Sequence, residues 1–562
     1  MNRKHLGALV MLACFGGLAW TLGSFIGINE PNILTPLNLL PAVFVWLLFI
    51  GLTRRLAASL VLTMALLALL ILASQIKAEN LKVPLLATDF IILKTVSLQE
   101  SVLGKYVTLE LLTLMIVLFL GLALLIRLEP PLKALRGKYL APYWAFLVLG
   151  VALPAASLTE GYYREGATWL KWDPVSNVKT NGLLAVLVMD WMSLDLETPI
   201  ADTRVIEDFV ASQPALFVEE GDGSDIQPNI IVLLLESFFD PSIIAGVNDC
   251  EYLPKWCDLR QSAVWGALEV PTYGGNTNRT EFEILTGISL DSYPNHVFPY
   301  FSLVTKSLES YPHYLKSHGY QTTAIHPHKG EFWNRTTVYP LMNIDEFLAI
   351  EQFKGGRRDG WYIADSEIPP KIETILGRDS PQFNLTITME NHGPWGKRKN
   401  LDEEELQALT AFPGLSEQAQ RQWLEYLYHL KHSEQLVIDV VEMINKTAEP
   451  TIVLAFGDHL PSLPSVFAEV AFKDGEPPER QSAPYVIFDN FSGAGGRELD
   501  ASADLIMSEV LKLSGLPMRS FDRVSHYFLQ NFDAGEWLAA DSEILSAFQI
   551  MQFNKEIATQ VH

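Results

Sequence analysis

Three cysteines in a chain of 562 residues exclude a disulfide-built scaffold. Cys14 falls in an apolar run, which leaves Cys250 and Cys257 of DCEYLPKWC open to either a disulfide or two free thiols. Basic residues are also short: 41 Lys and Arg face 65 Asp and Glu, a formal net charge of −24. Without a basic footprint the chain is not built for nucleic acid, and its acids read as a solvated surface. No internal repeat or low-complexity segment stands out. Charged residues of both signs reach only 19%, against 49% hydrophobic, too apolar for a purely soluble chain of this length.

The apolar excess sits in the N-terminal third. A spanning helix needs about 20 mostly apolar residues, and five stretches qualify: 6–28, 33–53, 56–76, 107–127 and 139–157. Arg3, Lys4 and His5 before the first run resemble a signal peptide, but no small-residue cleavage site follows, so an uncleaved helix is expected. Arg54 and Arg55 lie between spans two and three, and Arg127, Lys133, Arg136 and Lys138 between four and five. The outer loop Asn29–Asn32 has no Lys or Arg. The positive-inside rule then puts the N-terminus in the cytoplasm and everything after residue 157 outside it.

Residues 1–157 are therefore expected to be a five-span domain, 158–226 a connector, and 227–562 an extracytoplasmic α/β domain. In the loop 77–105, VPLLATDFIILKTV is too short to span and suits an interfacial helix. NGLLAVLVMDWMSL (181–194) reads equally as an interfacial or docking helix and as a buried helix of the soluble domain. Past the Gly/Asp-rich break 219–225 come five apolar runs: NIIVLLL from Asn229, then 322–325, 383–388, 451–456 and 485–488. Helical stretches such as 415–446 separate several of them. Such runs predict a mainly parallel sheet sandwiched by helices, with ligands collecting at the strands' carboxyl ends.

Four motifs fall at those ends: NIIVLLLESF (229–238), GGNTNRTEF (274–282), TMENHGPW (388–395) and FGDHLPS (456–462). Asp458 and His459 together offer an O and an N ligand, a mixed set suited to Mn²⁺ or Zn²⁺, and Glu236 ends an equivalent strand. Alone, each is as well read as an ordinary loop pair. Thr277 or Thr280 supplies a hydroxyl that a cation would activate; Thr277 also suits a helix N-cap. HPHKGEFWNR (326–335) contributes His326, His328, Lys329, Trp333 and Arg335, with Arg fitted to phosphate oxygens and Trp to a small polyol. The acids of 401–420 read as a solvated helix-loop.

The order E-S, G-x-T-x-x-x-E-F, H-x-x-x-x-x-x-W-N-R, N-H-x-P-W and G-D-H resembles the lipoteichoic acid synthase family, over nearly the whole chain. These are five-span phosphoglycerol transferases with an outer domain of the sulfatase/alkaline-phosphatase fold. The resemblance implies one divalent cation, typically Mn²⁺ with Mg²⁺ or Zn²⁺ as alternatives, on Glu236, Thr277, Asp458 and His459. It implies Thr277 as nucleophile, His392 as acid or phosphate ligand, and His326, Trp333, Arg335 and His392 as glycerophosphate-binding positions. It further implies a bacterial cytoplasmic-membrane protein with a phosphatidylglycerol donor and a glycan or glycolipid acceptor. Arg279 is an added cation relative to teichoic-acid members, which leaves the acceptor open. The alternative is a phosphoethanolamine transferase, commonly zinc-dependent and richer in disulfides. A sulfatase needs a C/S-x-P-x-R frame that T-N-R-T does not supply.

Overall fold

The computed structural model describes residues 36–81, 84–92, 120–130, 174–193, 201–218, 226–293, 296–396, 401–493, 495–531 and 539–554. The chain divides into two units, residues 1–196 and 197–562.

In the first unit, helix α1 (Pro36–Thr53) packs against α2 (Leu56–Leu81). The Glu129 carboxylate accepts from the Ala57 and Ala58 N–H groups, both at 2.9 Å, so an acid from a distant segment satisfies the orphan donors at the start of α2. Among the described residues one helix, Leu56–Gln75, is long and apolar enough to cross a membrane. The expected spans 6–28 and 139–157 lie outside the described residues, and 107–127 is described only from residue 120. The loop 77–105 contributes a short helix α3 (Ala87–Ile92), whose Asp89 pairs with Lys77 at 2.7 Å. Helix α4 (Leu183–Ser193) packs on α1, where the Asn38 side chain accepts from the Leu184 and Ala185 N–H groups. That apolar stretch therefore docks inside the first unit rather than in the α/β domain.

The second unit is built on a nine-stranded sheet. In chain order its strands are β1 (Asn229–Leu235), β2 (Val264–Glu269), β3 (Gln321–Ile325), β4 (Glu346–Leu348), β7 (Gln382–Ile387), β8 (Thr451–Gly457), β9 (Ala483–Asp489), β10 (Arg497–Glu498) and β11 (Ala501–Ser502). A separate hairpin pairs β5 (Arg358–Asp359) with β6 (Tyr362–Ile363). The spatial order is β10-β2-β9-β8-β1-β7-β3-β4, and β11 adds to β2. Strands β8, β1, β7, β3 and β4 are parallel, and β9 runs antiparallel to both of its neighbours. All five apolar runs are strands of this sheet.

Both faces of β1 are buried. Ile230, Val232 and Leu234 enter one hydrophobic layer, while Ile231, Leu233 and Leu235 enter the other. A fully apolar strand is the signature of a sheet covered on both sides, and each such side chain contributes about 1.5–3 kcal/mol of burial. Four helices of this unit matter for the site: α5 (Asn278–Thr286), α6 (Arg335–Leu341), α7 (Glu403–Gln407) and the long α8 (Glu417–Asn445). Cys250 and Cys257 form a disulfide that closes the loop before helix 254–260.

Candidate active site

Strand register brings the chemistry together. Leu235 of β1 lies opposite Gly457 of β8, and Leu234 lies opposite Ile387 of β7. Glu236, Asp458 and Thr388 therefore leave the sheet side by side at its carboxyl edge. Gly457 has no alternative: a Cβ there would stand 1.9 Å from the Phe238 carbonyl oxygen. Ser237 holds a left-handed backbone (φ 54°), a strained conformation of the kind that collects at functional sites. Its N–H donates to Asp458 Oδ1 at 2.8 Å and its hydroxyl to Glu236 Oε1 at 2.8 Å, so one residue orients two acids.

Thr277 occupies the N-cap position of α5, yet its hydroxyl caps no backbone group. It points to Glu236 Oε2 at 3.4 Å instead. Thr280, the other candidate, is committed elsewhere, because its hydroxyl donates to the Asp458 carbonyl at 2.7 Å. The geometry thus separates two threonines that residue type alone left open.

His459 Nε2 lies 3.2 Å from Asp458 Oδ2 and 3.6 Å from Glu236 Oε1, with all three residues buried. Four donors held about 2.0–2.2 Å from a tetrahedral cation stand roughly 3.3–3.6 Å apart, so this spacing fits a metal. The hydrogen-bond inventory fits too. His459 Nδ1 lies 2.9 Å from the Leu460 carbonyl, which can only accept, so Nδ1 carries the proton and Nε2 of a neutral ring has a bare lone pair. His459 Nε2 and Asp458 Oδ2 are buried and have no hydrogen-bond partner. In the neutral ring that lone pair faces two carboxylates, an arrangement that a proton on Nε2 or a cation among the three groups relieves. Burial and the neighbouring Glu236 charge push Asp458 up to about 7, against the pull of His459. Burial also pushes Glu236 up, but His392, His459 and the Ser237 hydroxyl outweigh it and hold Glu236 below the ordinary carboxylate value.

Of the expected substrate-side residues, His392 and Arg335 are near enough for their charges to act on Glu236, and both also act on His326. His326 follows β3, with Nδ1 3.1 Å from the Ile387 carbonyl and Nε2 buried without a partner. Burial, reinforced by Arg335, drives its pKa well below the usual imidazole value, so Nε2 is an acceptor. His328, which the sequence grouped with it, is likewise held neutral by burial, at about 4. Arg335 begins α6 wholly buried and grips Glu281 of α5 through Nε (3.0 Å) and Nη2 (2.8 Å), while Nη1 has no partner. Tyr300 and Tyr339 hydroxyls complete the Glu281 shell at 2.9 and 2.6 Å. Arg335 is therefore first an internal ion pair, with one edge left for a ligand. Trp333 stacks on Phe298 with ring centroids 5.7 Å apart. His392 Nδ1 lies 2.9 Å from the Gly393 carbonyl and 3.4 Å from the Tyr362 hydroxyl. Arg279 faces inward, donating to the Pro271 and Val297 carbonyls, so its added charge serves the fold.

Sequence reasoning missed a second buried cluster. Glu390, inside the motif read only for His392, accepts at one oxygen from Nδ1 of His429 (2.8 Å) and Nδ1 of His432 (2.5 Å). Its signal was available: two histidines at i and i+3 on an expected helix share a face. Glu405, placed by sequence in a solvated stretch, reaches His432 Nε2 at 2.9 Å.

The sulfatase family's sequence profile matches residues 228–516. The chain belongs to the sulfatase family. Its α/β domain is alkaline-phosphatase-like in fold. A candidate cyclic beta-1,2-glucan modification protein of Rhizobium meliloti (strain 1021) is 26% identical over 362 residues, covering 62% of this chain and 54% of that one. Lipoteichoic acid synthase 2 of Bacillus subtilis (strain 168) is 23% identical over 303 residues, covering 51% and 42%. The chain thus spans about half the length of the curated relatives it matches. Among solved structures, Streptococcus pyogenes phosphoglycerol transferase GacH in complex with sn-glycerol-1-phosphate superposes with a TM-score of 0.51 at 19% identity. That match covers 64% of this chain and 94% of GacH, and it establishes a shared fold.

Proposed function

We propose that this sulfatase-family chain is a metal-dependent phosphotransferase that moves sn-glycerol-phosphate from phosphatidylglycerol to a glycan or glycolipid acceptor. The observation that carries the reading is the Thr277 hydroxyl aimed at a buried Glu236, Asp458 and His459 set at metal spacing. The relatives' glucan, teichoic-acid and phosphoglycerol descriptions support the substrate class.

In this reading Glu236, Thr277, Asp458 and His459 hold one divalent cation, Mn²⁺ by preference and Mg²⁺ or Zn²⁺ otherwise. When bound, the cation supplies Lewis acidity at the phosphoryl oxygens and lowers the pKa of the Thr277 hydroxyl. The Thr277 hydroxyl gives its proton to water as Oγ1 attacks phosphorus, the bond to the diacylglycerol oxygen breaks, and that oxygen takes a proton from His392, or from water where His392 steadies a phosphate oxygen. The phosphoglycerol group then rests on Thr277. An acceptor hydroxyl attacks it, loses its proton, and returns the threonine hydroxyl. Arg335 Nη1 donates to a phosphate oxygen, the neutral His326 Nε2 accepts from a glycerol hydroxyl, and Trp333 packs on the glycerol carbons. The chain is anchored by the five spans, with 158–226 as connector and 227–562 working on the extracytoplasmic side of a bacterial cytoplasmic membrane. Anchoring confines the site to the plane of its lipid donor and so raises effective concentration.

Intact-mass analysis of the full chain in detergent, with Mn²⁺ and phosphatidylglycerol, tests this beside Thr277→Ala. A glycerophosphate adduct on the wild type alone is expected. An ethanolamine-phosphate adduct from phosphatidylethanolamine would replace the head-group assignment, and no adduct from either lipid would sink it.

A further inference from the structure

The Glu390 cluster has the composition of a second metal site but not its spacing. Its nitrogen–oxygen separations of 2.5 and 2.8 Å are hydrogen bonds, shorter than the roughly 3.3–3.6 Å that a tetrahedral ion imposes on its ligands. What the cluster does join is the surroundings of His392.

Helix α8 presents Tyr428, His429, His432 and Ser433 on one stripe. Glu390 Oε1 takes both imidazoles of that stripe. Its other oxygen, Oε2, accepts from the backbone N–H of Asp365 at 2.7 Å. Asp365 lies three residues beyond Tyr362, whose hydroxyl meets His392 Nδ1. The same segment is tied to α8 twice more, by Tyr428 to Asp359 (3.0 Å) and by Ser433 to Asp365 (3.0 Å). His392 itself lies two residues past Glu390, in a turn closed by its N–H to the Met389 carbonyl.

Resting on the phosphoryl-transfer function, we propose that Glu390 is a positioning residue for His392. Its two oxygens lock the loop carrying His392, the segment carrying Tyr362, and helix α8 into one geometry. The electrostatics agree: despite burial, the His429 and His432 hydrogen bonds hold Glu390 down at about 2, and Glu390 and Glu405 raise His432 to about 9. A buried charge of this kind keeps its partners, because leaving it unpaired is costly.

The test uses full-length protein in detergent with Mn²⁺, comparing wild type, Glu390→Gln, His392→Ala and the double variant. Two diesters are followed: phosphatidylglycerol and bis(4-nitrophenyl) phosphate, which has neither lipid nor glycerol. Glu390→Gln is expected to lower kcat about 10- to 100-fold with KM within about threefold, the size of a misplacement effect. In the His392→Ala background it should add less than about threefold, since coupled residues do not act independently. Tyr362→Phe, a milder cut in the same tie, should follow the same pattern at smaller size if Glu390→Gln does not fold. Metal per chain stays unchanged throughout. Independent multiplication of the two losses, or a metal equivalent lost with Glu390→Gln, overturns the proposal. Wild-type cleavage of the nitrophenyl diester alone sinks the head-group reading and leaves this comparison decisive; cleavage of neither sinks both.

Discussion

Glu236, Asp458 and His459 stand 3.2–3.6 Å apart with two polar atoms unsatisfied, whereas Glu390, His429 and His432 close to 2.5–2.8 Å. Both sets are buried carboxylate and imidazole. The first is held open by outside bonds: Ser237 on both acids, Thr280 on the Asp458 backbone, and Leu460 on the His459 ring. The second also has outside bonds, from the Asp365 N–H to Glu390 and between His432 and Glu405, but both its imidazoles close directly on one Glu390 oxygen. Residue type alone does not make a metal site. The scaffold must keep like-charged groups from relaxing.

The largest contrast is in metal occupancy. Asp458→Asn should remove bound Mn²⁺ and cost at least about 10³-fold in transfer, by analogy with losing a core electrostatic element, while Glu390→Gln keeps its metal; elemental analysis beside turnover separates the two. Next comes opposite-signed stability. Glu390→Ala removes the carboxylate oxygen that both imidazoles share, leaving His432 only its Glu405 contact in place of two acids, and should cost about 3–5 kcal/mol. Asp458→Asn removes the carboxylate that burial and the Glu236 charge already disfavour, and should stabilise the metal-free chain by about 1 kcal/mol at the expense of activity. Thermal melting in chelator reads both, and equal signs would break the comparison.

A smaller effect is expected with pH. Folded His432 keeps its proton to about 9, against an ordinary imidazole value of 6.5. Its stabilisation is therefore full below about 6.5 and is lost as pH rises through about 9. Glu390, held down at about 2, contributes fully above the ordinary carboxylate value of 4.5 and loses its share only toward pH 2. The melting difference between wild type and His432→Gln should thus shrink between pH 6 and 9.5, scanned at about half-unit steps. Smallest is Glu405→Gln, which trims a partly exposed contact and should cost less than about 1 kcal/mol by chemical denaturation.

The strands that the sequence disclosed, β1, β3, β7, β8 and β9, are those in which burial on both faces leaves an unbroken apolar run. Strand β2 is half exposed and alternates weakly, while β4, β10 and β11 are two or three residues long, too short for any period. Glu236, Asp458 and His459 were legible because a strand's end fixes where the next side chain goes. Thr277 over Thr280 came only from the family resemblance, because residue type leaves two threonines one helical turn apart equivalent until the Glu236 and Asp458 contacts distinguish them. The Glu390 cluster was hidden for another reason: histidines on an amphipathic helix read as surface until the loop that buries them is in place.

The hydrogen bond from Thr280 to the Asp458 carbonyl joins two pieces of chain 178 residues apart. Because Thr280 stands one turn after Thr277, the start of the helix that carries the Thr277 hydroxyl is bonded directly to the loop that carries Asp458 and His459. In the proposed transfer, that direct bond would hold the Thr277 hydroxyl and the ligand loop at one separation.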